Sequence, residues 1–333
     1  MTRSLVIAPQ WIGDAVMTEP LLRRLADRGE RLSVGALPWV APIYRAMPQV
    51  AEVIEFPFAH GGLQWQARRA LAQQLRGRFD ASYVCPNSIK SSLLPWLAGI
   101  PKRIGYSGEQ RFGLLTQRLP NPAKELRPSM VAFYSALSGE MDIDLDRPRL
   151  QVDAREIAAT LLKLDLRQQS FHVFAPGAEY GPAKRWPSSH FAELALQLDL
   201  PVLLLGSAKE SALCAEIADP VNRQRPGHCL NLSGKTTLTQ AMQVIAACKS
   251  IVSNDSGLMH VAAGLGVRQV AIFGSSSPLH TPPLNQNARV FWLKNNPHYQ
   301  PALVCAPCFE RICPLGHMRC LNDIRANDVL LFL

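Results

Sequence analysis

The run Ser253-Asn254-Asp255-Ser256-Gly257-Leu258-Met259-His260 puts four capping-type side chains and a glycine directly after the apolar pair Ile251-Val252. Such residues start helices, and the N–H groups of a first helical turn attract anions. Two readings fit this junction, an ordinary capped helix and an anion site. A second polar segment, Pro176-Gly177-Ala178-Glu179 through Lys184-Arg185-Trp186-Pro187, also follows an apolar run and ends in two cations. Lys184 either holds a phosphate as a point charge or is a solvated loop cation. Neither segment is a Walker A loop or a GxGxxG fingerprint, so nucleoside triphosphate hydrolysis and NAD binding lose their strongest sequence support. Near the start of the chain lies Gln10-Trp11-Ile12-Gly13-Asp14. Asp14 is either a helix cap or a general base for a substrate hydroxyl, and Pro20 predicts a helix beginning near Thr18 with Asp14 in the loop before it.

The elements that must hold these residues alternate. Apolar runs at 5–9, 32–37, 50–56, 80–85 and 103–106 read as strands, with helices at 62–78 and 89–98. After a charged helix at 154–164 the rhythm restarts, with strands at 171–175, 202–206, 229–232, 250–253 and 270–273 and helices at 189–198, 209–217, 238–247 and 257–265. This alternation implies largely parallel sheets covered on both faces. A chain of 333 residues exceeds what one core usually organises. The expected fold class is therefore α/β, with two Rossmann-like parallel-sheet domains, 1–165 and 166–333, facing a central cleft. Ligands then sit beyond the carboxyl ends of the strands, where Gly206-Ser207-Ala208-Lys209-Glu210 and the loop from Leu232 through Thr236 to Leu238 add two more polar loops. Four such loops on one edge favour a nucleotide-sized groove over four unrelated caps. The Asp142/Asp144 and Asp144/Asp146 pairs read as an exposed approach to a linker, not as a metal motif.

The net charge of +9 is front-loaded: residues 1–127 carry 17 Lys/Arg against 9 Asp/Glu, and residues 128–333 carry 18 against 17. The first half should meet something anionic. Aromatic residues are too sparse among the cations for single-strand stacking, which argues against nucleic acid. No run of eighteen apolar residues occurs and the first residues read as a buried strand, so a cytoplasmic protein is expected. Cys305, Cys308, Cys313 and Cys320, with His317 nearby, leave a zinc site open, but the wide Cys313 to Cys320 spacing favours reduced thiols. The apolar tail Val329 to Leu333 is expected to pack on the body and not on lipid.

Together with Pro86-Asn87-Ser88-Ile89-Lys90-Ser91-Ser92-Leu93, Ala98-Gly99-Ile100-Pro101-Lys102-Arg103-Ile104-Gly105-Tyr106 and the Cys305 to His317 segment, these motifs make the chain similar to the bacterial ADP-heptose:lipopolysaccharide heptosyltransferases of glycosyltransferase family 9. The likeness spans nearly the whole length, and these three added segments look like the branch that adds the second inner-core heptose. It implies a two-domain GT-B fold and an inverting, metal-independent transfer with no cofactor. The donor would be ADP-L-glycero-D-manno-heptose and the acceptor the phosphorylated heptosyl-Kdo2-lipid A, met by a protein peripheral to the inner face of the inner membrane. Asp14 matches the proposed catalytic base, Lys184 the donor phosphate-binding lysine, and Asp255, Ser256, Gly257, Leu258 and His260 the donor-binding helix start. Glu210 and Thr236 fall near positions around the adenosine, and Gly177, Glu179 and Ser207 lie on the same donor-side loops. Gly13, Asn87, Lys90, Ser91, Arg103 and Arg111 are the acceptor-side candidates. The alternatives are heptosyltransferase I or III, with another inner-core acceptor, and a non-catalytic nucleotide-sugar-binding protein.

Overall fold

Strand β1 (Arg3–Ile7) is exposed only at its first residue. A strand buried on both faces needs helices above and below it, which is the arrangement of a doubly wound sheet. In the computed structural model, which describes residues 1–58, 62–123, 125–140 and 146–333, β1 is joined by β2 (Arg31–Ala36), β3 (Val50–Glu55), β4 (Ala81–Val84), β5 (Lys102–Tyr106) and β6 (Gln117–Leu119). All pair in parallel, in the order β3-β2-β1-β4-β5-β6. The second sheet contains β7 (His172–Ala175), β8 (Val202–Leu204), β9 (Cys229–Asn231), β10 (Ser250–Asn254), β11 (Gln269–Ile272) and β12 (Ala288–Phe291). Its order, β12-β11-β10-β7-β8-β9, repeats the same winding, again wholly parallel. In each sheet the order reverses beside the first strand, between β1 and β4 and between β7 and β10. At such a point the loops diverge and open a crevice at the strands' carboxyl ends.

The α/β reading of two Rossmann-like units therefore holds, and the differences lie in boundaries. Strands β6 (Gln-Arg-Leu) and β12 (Ala-Arg-Val-Phe) escape the sequence pattern because they are short edge strands without a long apolar run. The two units divide as Met1–Gln151 and Val152–Leu333, so the boundary falls ahead of the helix Ala154–Lys163 and not after it at 165. That helix packs in the second unit: Thr160 Oγ1 donates to Gln243 Oε1 at 2.6 Å, and Gln243 Nε2 donates to Glu156 at 3.0 Å. Asp142 and Asp144 of the expected linker approach lie outside the described residues. Asp14 stands inside the helix Ile12–Met17, while Pro20 marks a second helix, Glu19–Asp27. The tail packs on the body as expected: Val329 is fully buried, and Leu330, Phe332 and Leu333 lie against the second unit's core.

Two buried histidines tie this packing to pH. His172 on β7, its Nδ1 2.7 Å from Ser250 Oγ, and His260 in the helix Gly257–Gly264 are each pushed down to about 4 by burial. An unfolded imidazole takes up its proton near pH 6.5 while these remain neutral, so stability falls as pH drops through that window. At pH 5 the expected loss is about 2 kcal/mol per histidine relative to pH 7. Urea unfolding of the second unit should show a lower midpoint at pH 5, and equal midpoints would contradict the account.

Candidate functional site

In the first unit the switch point between β1 and β4 opens into a cavity of 380 Å³, lined among others by Trp11, Asp14, Phe58, Arg68, Asn87, Lys90, Ser91 and Tyr134. Asp14 reaches it from the first turn of its helix. Its Oδ1 accepts a 2.8 Å hydrogen bond from Tyr134 Oη. Burial and the adjacent Asp14 charge hold the Tyr134 phenol well above its ordinary range, so it stays a donor and fixes the carboxylate as an acceptor. Gly13 precedes Asp14 in the same turn and does not line the cavity.

The loop after β4 supplies the other wall. Ser88 caps the helix Ile89–Leu97 by accepting from the Ser91 N–H, and the Ser91 hydroxyl donates back to the Ser88 carbonyl at 2.6 Å. Asn87 is held from both sides, its Oδ1 accepting from Arg111 at 3.3 Å and its Nδ2 donating to Asn121 at 3.2 Å. Arg111 is a correction to the sequence reading. It is fully buried, donating to the Pro86 carbonyl at 2.8 Å, to Ser92 Oγ at 3.0 Å and to the Tyr106 carbonyl. Burial lowers it to about 10. Its guanidinium braces the loop: both terminal nitrogens are committed to Pro86, Ser92, Asn87 and Tyr106, and its Nε is buried away from the cavity without a partner among the described residues. Arg103 is likewise withdrawn, donating to the Leu114 carbonyl at 2.6 Å and the Ile100 carbonyl at 2.5 Å near the start of β5, away from the crevice. Arg111→Met should destabilise the protein by about 3 kcal/mol, because it strands buried carbonyls. An unchanged chemical-unfolding midpoint would return Arg111 to the acceptor candidates.

Arg68 was missed. It lies on the inner stripe of the helix Trp65–Leu75, three and four residues before the buried Leu71 and Ala72. Its guanidinium stacks 4.3 Å from the Phe58 ring and donates to the Leu63 and Lys90 carbonyls. An arginine at the apolar register of an amphipathic helix was the available signal.

In the second unit the crevice lies between β7 and β10. Asn254, fully buried at the end of β10, donates to the Pro176 carbonyl at 2.7 Å and accepts from the Trp186 N–H at 2.9 Å. One side chain thus ties both ends of the loop that carries Lys184. Lys184 Nζ sits 2.5 Å from Asp255 Oδ2, while Asp255 Oδ1 accepts from Thr281 Oγ1 at 3.2 Å. Asp255 therefore aims the lysine. Beside them Ser256 occupies the N-cap of the helix Gly257–Gly264 without capping it. The buried hydroxyls of Ser253, Ser256, Ser275 and Ser276 have no partner among the described residues. Unmet hydroxyls around one lysine and one helix start suit an oxyanion or a polyol. Ser275 and Ser276 were also missed, although Gly274-Ser275-Ser276-Ser277 directly follows the apolar run through Phe273; the Ser275 N–H donates to the Ala183 carbonyl, next to Lys184.

The remaining donor-side residues divide. A Cβ on Gly177 would lie 1.7 Å from Glu210 Oε1, and Glu210 Oε2 accepts from the Ser207 N–H and hydroxyl at 2.7 and 2.9 Å, so these three meet. Thr236 precedes Thr237, the cap of the helix Leu238–Ala247. Leu258 is half-buried and His260 buried and neutral in the helix start. Glu179 is exposed and has no ion-pair partner among the described residues, so nothing draws it to Lys184. Cys305, Cys308, Cys313 and Cys320 line a cavity of 20 Å³ with His317 as free thiols. No group of three or more His, Cys, Asp or Glu among the described residues is arranged to hold a metal ion, so the zinc reading gains no support from their placement.

Residues 68–318 match the model of glycosyltransferase family 9 (heptosyltransferase). Lipopolysaccharide heptosyltransferase 2 of Escherichia coli K12 is 45% identical over 311 residues, covering 88% of this chain and 89% of its own. The protein of the same name from Salmonella typhimurium is 44% identical over 310 residues, with 88% and 89% coverage. The solved structure of E. coli ADP-heptose LPS heptosyltransferase II superimposes with a TM-score of 0.85 at 40% identity, over 99% of this chain and 97% of that one.

Proposed function

The chain belongs to glycosyltransferase family 9 and has the two parallel-sheet units of its GT-B relatives, and from that premise we propose that it transfers heptose from an ADP-activated heptose to heptosyl-Kdo2-lipid A in lipopolysaccharide inner-core synthesis. The observation that carries the mechanism is the Asp14 carboxylate held by Tyr134 in a cavity wide enough for a sugar. Asp14 takes the proton of the acceptor hydroxyl as its oxygen attacks the anomeric carbon, and a single displacement inverts that centre. In the second unit Lys184 and the N–H groups of the helix Gly257–Gly264 receive the charge that collects on the departing diphosphate. These groups supply the positive charge for a transfer without a metal. Ser253, Ser256, Ser275 and Ser276 offer hydrogen bonds to phosphate oxygens or heptose hydroxyls. Gly177, Ser207, Glu210 and Thr236 line the strand ends where the adenosine would lie.

On the acceptor side Asn87, Lys90 and Ser91 line the Asp14 cavity, where they would meet the anionic inner-core sugar. Relatives named heptosyltransferase 2 favour the second heptose addition over the first or third. No described helix is long and apolar enough to cross a membrane. A lipid-linked acceptor would bring the protein to the cytoplasmic face of the inner membrane as a peripheral enzyme. Incubation with ADP-heptose and acceptors truncated at successive inner-core sugars tests this: ADP should appear only with the heptosyl-Kdo2 acceptor. Release with the Kdo2 acceptor alone would assign the first step instead, and donor binding without release would leave a non-catalytic binder.

A further inference from the structure

The helix Ile89–Leu97 is apolar on two sides. Leu94 and Ala98 enter the first unit's core, while Ile89 and Trp96, at the i, i+7 spacing of one helical stripe, are exposed and Leu93 between them is half-buried. Ile89 is 42% exposed and Trp96 44%. Such a stripe is ordinarily polar on a water-facing surface. The neighbouring helix Trp65–Leu75 adds Trp65, 43% exposed, preceded by the exposed Leu63. After β5 comes Phe112, 67% exposed, with the Arg118 guanidinium 4.1 Å from its ring.

Charge is gathered in the same segment. Residues 62–120 hold nine Lys/Arg against two Asp/Glu, a balance of +7 within a chain total of +9. On the helices between β1 and β3, Arg23, Arg24, Arg28 and Arg45 each pair with a carboxylate. Among the described residues, Arg69, Arg76 and Arg118 have no such partner. Exposed tryptophans beside unneutralised arginines suit the water–lipid boundary, where indole rings settle at headgroup level and cations meet lipid phosphates. The same two helices also contribute Arg68, Lys90 and Ser91 to the Asp14 cavity, so an acceptor anchored by acyl chains meets the docking face and the cavity together.

We propose that the outward face of the helices Trp65–Leu75 and Ile89–Leu97, with Phe112, docks on an anionic bilayer. The proposal rests on the reading that the acceptor is a lipid-linked saccharide. Co-sedimentation with phosphatidylcholine vesicles, with and without phosphatidylglycerol, tests it. The wild-type protein should bind only the anionic vesicles, and more weakly as salt rises. Trp65→Ser/Trp96→Ser should lose at least about tenfold in vesicle affinity, and each of Arg69→Gln, Arg76→Gln and Arg118→Gln about fivefold. Thermal unfolding should be unchanged in all of them, and turnover of a deacylated, water-soluble acceptor should match wild type. Wild-type protein that ignores anionic vesicles, or Trp variants that bind them equally well, would overturn the docking face. So would a dimer in sedimentation velocity that dissociates in the Trp65→Ser/Trp96→Ser variant, which would assign the face to a second copy of the chain. Failure of wild type on the soluble acceptor would instead count against the transfer reading, so the two claims fail separately.

Discussion

Asp14→Asn should lower kcat for heptose transfer on the order of 10³-fold, the usual contribution of a positioned general base. Asparagine keeps the volume of the side chain and can still accept from Tyr134 Oη through its amide oxygen, so the cavity should keep its shape. What disappears is the site that takes the acceptor's proton. The donor groups, Lys184 and the helix Gly257–Gly264, belong to the other unit, and ADP-heptose affinity should therefore stay within about twofold of wild type in calorimetry. Acceptor-dependent ADP release gives the rate. Turnover above about a tenth of wild type would remove Asp14 from proton transfer and leave it a helix residue.

Lys184→Ala has the next largest effect. A charge-assisted contact to phosphate is worth about 1.5–3 kcal/mol, which is roughly 10- to 150-fold in donor affinity. Leaving-group charge grows in the transition state, so kcat/KM for the donor should fall further than affinity does. The substitution also strands Asp255, which is only 4% exposed and loses its cation, and a stranded buried carboxylate costs stability. Lys184→Ala/Asp255→Asn separates the two effects. The double variant should regain stability without regaining donor affinity; recovery of both would make Lys184 a structural partner of Asp255 and nothing more.

The fold was legible because two runs of short strands alternate with helices, and a doubly wound sheet is what that rhythm builds. Edge strands β6 and β12 escaped because neither needs two apolar faces. Asp14, Lys184 and the Asn254 to Gly257 junction could be picked out for a related reason: each lies in the connection that leaves the carboxyl end of a buried strand, β1, β7 or β10, and in a doubly wound sheet those connections border the crevice. Arg103 and Arg111 misled because an arginine in sequence does not disclose whether carbonyls already surround its guanidinium, as they do here. Ser275 and Ser276 carry no charge, and only their orphaned, buried hydroxyls mark them. Asn254, read as one capping residue among four, is the staple that holds the Lys184 loop at both ends.

The most direct test of the central claim is to mix the purified protein with ADP-heptose and deacylated heptosyl-Kdo2 acceptor and measure ADP and product saccharide together. One ADP should be released for each heptose added, none without acceptor, and the new linkage should have inverted configuration. Folded protein that binds ADP-heptose yet yields no acceptor-dependent ADP, or a product that retains configuration, would contradict it.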